Sequence, residues 1–343
     1  MNILYLTFSF TTGGTERLLV DICNEMVNRN HKVYLYVIND HYDSNMLECL
    51  DSKIHLVYGH KKSGTLGKIK AVLRLNKFIR KNKIEVVHCN AMNTLEMLFL
   101  RKLLFPKTKI LYTIHCMNQF VNFKKKRIRY LNRICDSFIA ISTSVKQNAI
   151  DSGIQSDKIT IIYNAINLNK FQGMNEKKFN SEEMVFGIVA RLVPEMKGQD
   201  ILIDALSILK KEHRNFKCYF AGKPNDGEEY ILDNLQNQAN QKNVSENCIF
   251  LGNVEDIETF LKGIDIFILP SRNEGFGISL IEAMVLGVPC LSSNVDGPAE
   301  ISENGTILYL FKSENPEDLA LKLHKMIMNY QACKEKALKN IEY

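Results

Sequence analysis

Pro270–Ala283 reads PSRNEGFGISLIEA. The apolar run Ile266–Leu269 precedes it, so the pattern predicts a strand ending at Pro270–Ser271, a glycine-rich turn, and an amphipathic helix from near Ile278. Gly275 and Gly277, with Phe276 between them, let the backbone approach a ligand closely. The N–H groups of Gly277, Ile278, Ser279 and Leu280 have no partner inside such a helix and carry the positive end of its dipole. That is an anion site suited to a diphosphate. Glu274 on the turn and Glu282 in the early helix flank it. A carboxylate repels a diphosphate, so each is expected to hold something else, and sugar and ribose hydroxyls are fitting partners.

Outward from this segment the same rhythm recurs. Strands are expected at Val185–Ala190, Cys218–Ala221, Ile249–Leu251 and Cys290–Ser292, with helices such as Gln199–His213 and Ile278–Leu286 between them. Upstream, strands are expected at Ile3–Phe8, Val33–Ile38, Val86–Cys89, Ile110–His115, Phe138–Ser142 and Ile159–Tyr163. A helix over Thr15–Asn30 carries Leu18, Leu19, Ile22 and Met26 on one face. Strand, helix, strand implies right-handed parallel units, and the polar stretch Asn169–Glu183 interrupts them as a linker. The reading is therefore α/β, two doubly wound Rossmann-like domains, 1–170 and 171–343, facing across a cleft. Ligands of such sheets bind beyond the carboxyl ends of the strands.

With 343 residues, 45% hydrophobic and 24% charged, each half can bury a core. No run of apolar residues is long enough to span a bilayer and the start lacks a signal-peptide pattern, so a cytoplasmic location is expected. Nine cysteines at irregular spacing, with no CxxC pair, point to reduced thiols packed as small hydrophobes. The net charge of +6 is uneven: residues 1–172 hold 26 Lys+Arg against 12 Asp+Glu, and the remainder is acidic. Such a split suggests that one half faces a polyanion.

Further candidates sit near expected strand ends. Arg191 and Lys197 follow the first strand of the second domain, where paired cations stabilise charge growing on a departing phosphate. Gly13 and Gly14 feed the first helix, another N-terminus at a carboxyl edge, with Glu16 in its first turn. His115 closes the strand LYTIH; His88, also near a strand end, reads as packing. No Asp-x-Asp pair occurs, so a metal–diphosphate bridge has no evident ligands and neither metal nor cofactor is expected. GxGxxG is absent after the first strand, which disfavours a nicotinamide dehydrogenase.

These residues carry a resemblance. With GGTER at 13–17, IYNAINLNKF at 162–171, ARLVPEMKGQD at 190–200, FLGNVEDI at 250–257 and two Glu eight apart at 274 and 282, the chain resembles the retaining glycosyltransferases of GT-B fold, family 4. The motifs occur in order over nearly the whole length. The resemblance implies a hexosyltransferase that moves a hexose or N-acetylhexosamine from a nucleotide-sugar, a UDP-sugar by preference, to a glycan or lipid-linked oligosaccharide in bacterial surface-polysaccharide assembly. It implies that Glu274 holds the donor sugar, Glu282 the ribose, Arg191 and Lys197 the diphosphate, the loop of Asn253, Glu255 and Ile257 the base, and that His115 lies near the reacting centre. Relatives usually continue into a helix crossing back to the first domain; this sequence stops at NIEY, so that brace is expected to be missing or shortened. The competing readings are a sugar-nucleotide epimerase and a non-catalytic partner that binds nucleotide-sugar.

Two basic stretches remain. Lys124–Arg133, KKKRIRYLNR, follows Met117, Phe120, Val121 and Phe123. Lys61–Lys83 mixes nine Lys/Arg with Ile69, Val72, Leu73, Leu75, Phe78 and Ile79. Cations beside apolar residues suit a helix lying on an anionic membrane leaflet; the alternative is a solvated basic face whose apolar side packs on the sheet. No aromatic stacking platform accompanies the charge, so nucleic acid is not expected as a partner.

Overall fold

The computed structural model describes residues 1–171, 183–213, 215–339 and 341. The chain divides into two compact units, Met1–Ala165 and Ile166–Tyr343, a few residues earlier than the boundary expected at 170. Most of the polar stretch read as a linker lies outside the described residues.

The first unit holds seven strands: β1 Asn2–Thr7, β2 Lys32–Val37, β3 His55–Tyr58, β4 Val86–Cys89, β5 Lys109–Ile114, β6 Ser137–Ala140 and β7 Ile159–Ile161. They form one parallel sheet in the order β3-β2-β1-β4-β5-β6-β7. The second unit holds β8 Met184–Val189, β9 Phe216–Ala221, β10 Cys248–Gly252, β11 Ile266–Leu269, β12 Cys290–Ser293 and β13 Tyr309–Phe311, ordered β10-β9-β8-β11-β12-β13 and again parallel. Each sheet reverses direction beside its own first strand, between β1 and β4 and between β8 and β11. Those two places are where a doubly wound sheet opens a crevice beyond its strand ends.

The central strands form where the sequence is apolar without alternation, because helices cover both faces. All four residues of β11 are buried, and β1 buries five of its six. In the second unit Phe186, Phe216 and Phe220 pack with Leu202, Leu206 and Leu323 on one side of the sheet; Phe267, Leu269, Leu280 and Leu286 pack on the other. Two strands escaped the sequence reading, β3 and β13. Both are short sheet edges and only partly buried, so neither needs an apolar run. The helix expected at 199–213 ends at Leu209, and the first helix runs Gly14–Asn28, its chain turning left-handed at Asn30 with φ 62°. All nine cysteines are free; seven are buried as expected, but Cys49 and Cys116 are exposed.

Candidate functional site

In the second unit the loops after β8, β9 and β10 are laced together at the carboxyl edge. The Ala190 N–H donates to Ala221 O at 3.0 Å, Leu192 N–H to Lys223 O at 3.0 Å, and Gly222 N–H to Gly252 O at 2.7 Å. Asn253 and Glu255 follow on this edge and are exposed. Ile257 comes next. It starts the helix Ile257–Lys262, which Asp256 caps by accepting from Thr259 N–H at 2.9 Å, and its side chain is buried in the core. Any base contact from this residue falls to the backbone, because its side chain already has an apolar home.

Beyond β11 the chain makes the expected turn and enters the helix Ile278–Val285. Gly277 caps it at φ 98°, a left-handed conformation that glycine adopts without penalty. Its carbonyl accepts from Leu280 N–H at 3.0 Å and from Ile281 N–H at 3.2 Å. Leu280 is therefore a correction: its N–H, expected to be open, is engaged, and its side chain is wholly buried in the core. Among the described residues the N–H groups of Gly277, Ile278 and Ser279 make no backbone hydrogen bond, and Ile278 and Ser279 are half-buried. Glu282, one turn on, is buried, as are Gly275 and Phe276.

The structure joins two candidates that the sequence places 77 residues apart. Lys197 Nζ lies 2.6 Å from Glu274 Oε2, with side chains 24% and 14% exposed. In so screened a position an ion pair is stronger than one at the surface, and removing one partner strands the other. Lys197 ends the short helix Pro194–Lys197, and Gly198 begins the next, Gln199–Leu209. Gly198 sits at φ 67°, and a Cβ there would stand 2.0 Å from the Pro270 carbonyl oxygen. The lysine-bearing turn thus rests directly on the end of β11.

Arg272 ties these two turns together. Its guanidinium donates to Pro194 O at 2.7 Å and grips Asp200 with two 2.8 Å bonds, while Nε reaches Glu314 at 3.0 Å. Its backbone N–H donates to Met196 O at 2.8 Å. A second brace holds Glu274 from the other side. The Gly297 N–H donates to the Glu274 carbonyl at 3.1 Å, and Asp296 lies electrostatically close to Glu274. Burial pushes the Asp296 carboxyl up, the hydrogen bond from Glu274 pulls it down, and the Glu274 charge raises it again. Sequence reasoning missed Asp200, Arg272 and Asp296. Arg272 stood inside the decisive segment, but its partners are distant in sequence. Arg191 follows β8, is exposed, and donates from Nη1 to Asn225 Oδ1 at 3.0 Å; its carbonyl accepts from Gln199 at 2.8 Å.

The remaining candidates belong to the first unit. Gly13 and Gly14 open the helix Gly14–Asn28, Gly13 as its cap with extended backbone, and Glu16 lies in its first turn. His115 follows β5, its Nε2 3.4 Å from Asn90 Oδ1. Burial, with the neighbouring His88, pushes its pKa down to about 4. Burial does the same to His88, whose Nε2 meets Thr113 Oγ1 at 2.6 Å. Both rings are neutral at pH 7 and act as hydrogen-bonding groups.

The basic stretches split into two faces. The helix Gly64–Lys81 buries Ala71, Val72, Leu75 and Ile79 but leaves Leu66, Ile69 and Leu73 exposed at 74, 50 and 57%. These three share one helix side with Lys70 and Lys77, and the helix has no acidic residue. The helix Lys125–Ile134 buries Ile128, Leu131 and Ile134, and Arg127 lies over the Phe123 ring at 3.5 Å while bonding Glu96. Among the described residues no helix is long and apolar enough to cross a membrane.

Comparison with known proteins places the chain in a family. The family described as Glycosyl transferases group 1 matches residues 169–342, and Glycosyltransferase Family 4 matches residues 12–170. The O-antigen biosynthesis glycosyltransferase WclY of Escherichia coli is 25% identical over 340 residues, spanning 93% of this chain and 87% of its own. The lipopolysaccharide 1,6-galactosyltransferase of Escherichia coli K12 is 24% identical over 315 residues, 90% and 83% of the two chains. Among solved structures, Anabaena HepE in complex with UDP and glucose superposes with a TM-score of 0.84 at 23% identity, covering 100% of this chain and 94% of that one.

Proposed function

Since the chain belongs to the group 1 glycosyl transferases, hexosyltransferases of GT-B fold, we propose that it takes a hexose or N-acetylhexosamine from a UDP-sugar, with retention, and places it on a lipid-linked glycan of a bacterial surface polysaccharide. The observation that carries this is the Lys197–Glu274 pair beside the open N-terminus of the helix Ile278–Val285. The named roles of WclY and of the lipopolysaccharide galactosyltransferase support the pathway, and UDP in the HepE complex supports the nucleotide.

The chemistry follows from charge. As the bond from the anomeric carbon to the diphosphate breaks, negative charge grows on the terminal phosphate. A helix N-terminus stabilises such charge by about 0.3–2 kcal/mol. A lysine about 4 Å away contributes on the order of 4 kcal/mol at an effective dielectric near 20. Lys197 is therefore the larger contributor, and it delivers most when the charge is greatest. Once phosphate engages Lys197, the Glu274 carboxylate is released to accept hydrogen bonds from the donor sugar's hydroxyls. Glu282 takes the ribose and Arg191 assists at the diphosphate; in the first unit the neutral His115 is suited to hydrogen-bond a hydroxyl. The acceptor oxygen forms the new bond on the same face, and its proton passes to the departing phosphate oxygen.

No step needs a divalent metal, since Lys197, Arg191 and the helix amides supply the positive charge. A thermal-shift screen of UDP- and GDP-sugars in EDTA tests the donor: UDP-sugars are expected to stabilise the protein, and stabilisation by GDP-sugars alone contradicts the nucleotide assignment. Proton NMR of the fresh product tests retention through its anomeric coupling.

The exposed Leu66, Ile69 and Leu73 among lysines suit peripheral attachment to an anionic leaflet, where a lipid-linked acceptor resides. Sedimentation with phosphatidylglycerol vesicles at low salt, lost in Lys70→Glu/Lys77→Glu, is the expected result. Unchanged sedimentation of the variant counts against this surface.

A further inference from the structure

Away from the donor site, three ligating side chains of the second unit converge. His213 Nε2 lies 2.8 Å from His324 Nδ1, and the same Nδ1 lies 2.8 Å from Glu212 Oε2. Each of the three residues offers a ligand atom, and these atoms lie within 4.8 Å of one another. Glu212 and His213 follow the C-terminus of the helix Gln199–Leu209, and His324 stands on the helix Pro316–Met328. The two helices share one core, through Leu202, Leu206, Leu319 and Leu323.

Proton bookkeeping shows that this arrangement is not satisfied by hydrogen bonds alone. His324 Nδ1 has room for one proton or one lone pair. If it carries the proton and gives it to Glu212, no proton is aimed at His213 from that nitrogen. If His213 donates to it instead, the Glu212 carboxylate faces a lone pair. One of the two 2.8 Å contacts is unfavourable in either tautomer. A divalent cation among the three atoms replaces both contacts at once, because each atom then presents a lone pair to the metal.

We propose that Glu212, His213 and His324 form a divalent transition-metal site, with zinc the fitting ion and water completing its coordination. Two imidazoles and a carboxylate match zinc, cobalt or nickel, whereas magnesium and calcium favour all-oxygen shells. Zinc bonds of about 2.0–2.2 Å put tetrahedral ligand atoms about 3.3 Å apart, so each of the two 2.8 Å contacts needs to open by ~0.5 Å. The site closes the end of the helix Gln199–Leu209 opposite Lys197, about 16 Å away at 1.5 Å per residue. It is a clamp between two helices and takes no part in the transfer chemistry.

The test uses the full, reduced chain after EDTA treatment and dialysis, with zinc chloride as titrant. Calorimetry is expected to show one site of micromolar or tighter affinity, and a hundredfold excess over Kd is expected to raise Tm by roughly 5 °C. Cobalt is expected to give visible d–d bands without the near-ultraviolet thiolate bands that binding at Cys49 or Cys116 would produce. His324→Ala is expected to weaken binding at least 30-fold and abolish the Tm rise while leaving the transfer rate unchanged. The proposal is overturned by the absence of a single site tighter than millimolar, by affinity that survives both His213→Ala and His324→Ala, or by cobalt spectra of thiolate type.

Discussion

The two sheets wind in the same order about their first strands, yet their carboxyl edges are built from different chemistry. The edge of the second unit is held by charge: Lys197 on Glu274, Arg272 on Asp200 and Glu314. Beside β4 and β5 the edge of the first unit carries neutral groups instead, His88 on Thr113 and His115 beside Asn90. The shared winding sets where a ligand can sit, and the side chains decide which. Charged pairs suit a diphosphate. Neutral imidazoles suit hydroxyls, which need directional hydrogen bonds and no net charge.

The sharpest break of this contrast is Glu274→Gln. It keeps the size of the side chain but removes the charge facing Lys197, and turnover is expected to fall by about 10²–10³-fold with the fold intact. Near wild-type turnover removes the assignment. Lys197→Ala is expected to cost about 10²-fold, and the losses in the double variant are expected to combine nearly additively, because in the donor complex the two side chains hold different groups. A double variant no worse than Glu274→Gln alone would show that they work only as a closed pair.

Gly198→Ala probes the support rather than the chemistry. A methyl group 2.0 Å from Pro270 O forces the lysine turn off β11, so a lower Tm and weaker UDP binding are expected together. In the first unit the sign of the pH effect is set by the histidines. Their folded pKa values, about 4, lie below the ordinary 6.5, so the unfolded chain takes up protons first as pH falls. Stability is expected to be full above pH 6.5 and to decline towards pH 4, read by thermal melts. The smallest effect is on rate: kcat/KM is expected to show no histidine limb between pH 5.5 and 7.5.

What the sequence made legible follows the same division. Buried strands such as β1 and β11 announce themselves as apolar runs, and the turn at 270–277 is marked by its glycines. The edges β3 and β13 do not, because half-buried residues need no pattern. Glu274 and Lys197 were legible one by one, from chemistry and resemblance, but their contact was not. A contact across 77 residues depends on where two loops end, and nothing local encodes it. The same holds for Arg272 with Asp200, and for His213 with His324 across 111 residues. The N–H of Leu280 was overcounted for the opposite reason. A helix start exposes some of its first residues and buries others, and only the packing shows which side faces the core.

A crystal structure with UDP bound tests the central claim most directly. The terminal phosphate is expected against the amides of Ile278 and Ser279 and within ion-pair distance of Lys197, with the Glu274 carboxylate freed. A diphosphate bound at the Gly13–Gly14 turn instead, or one that leaves the Lys197–Glu274 pair closed, contradicts it.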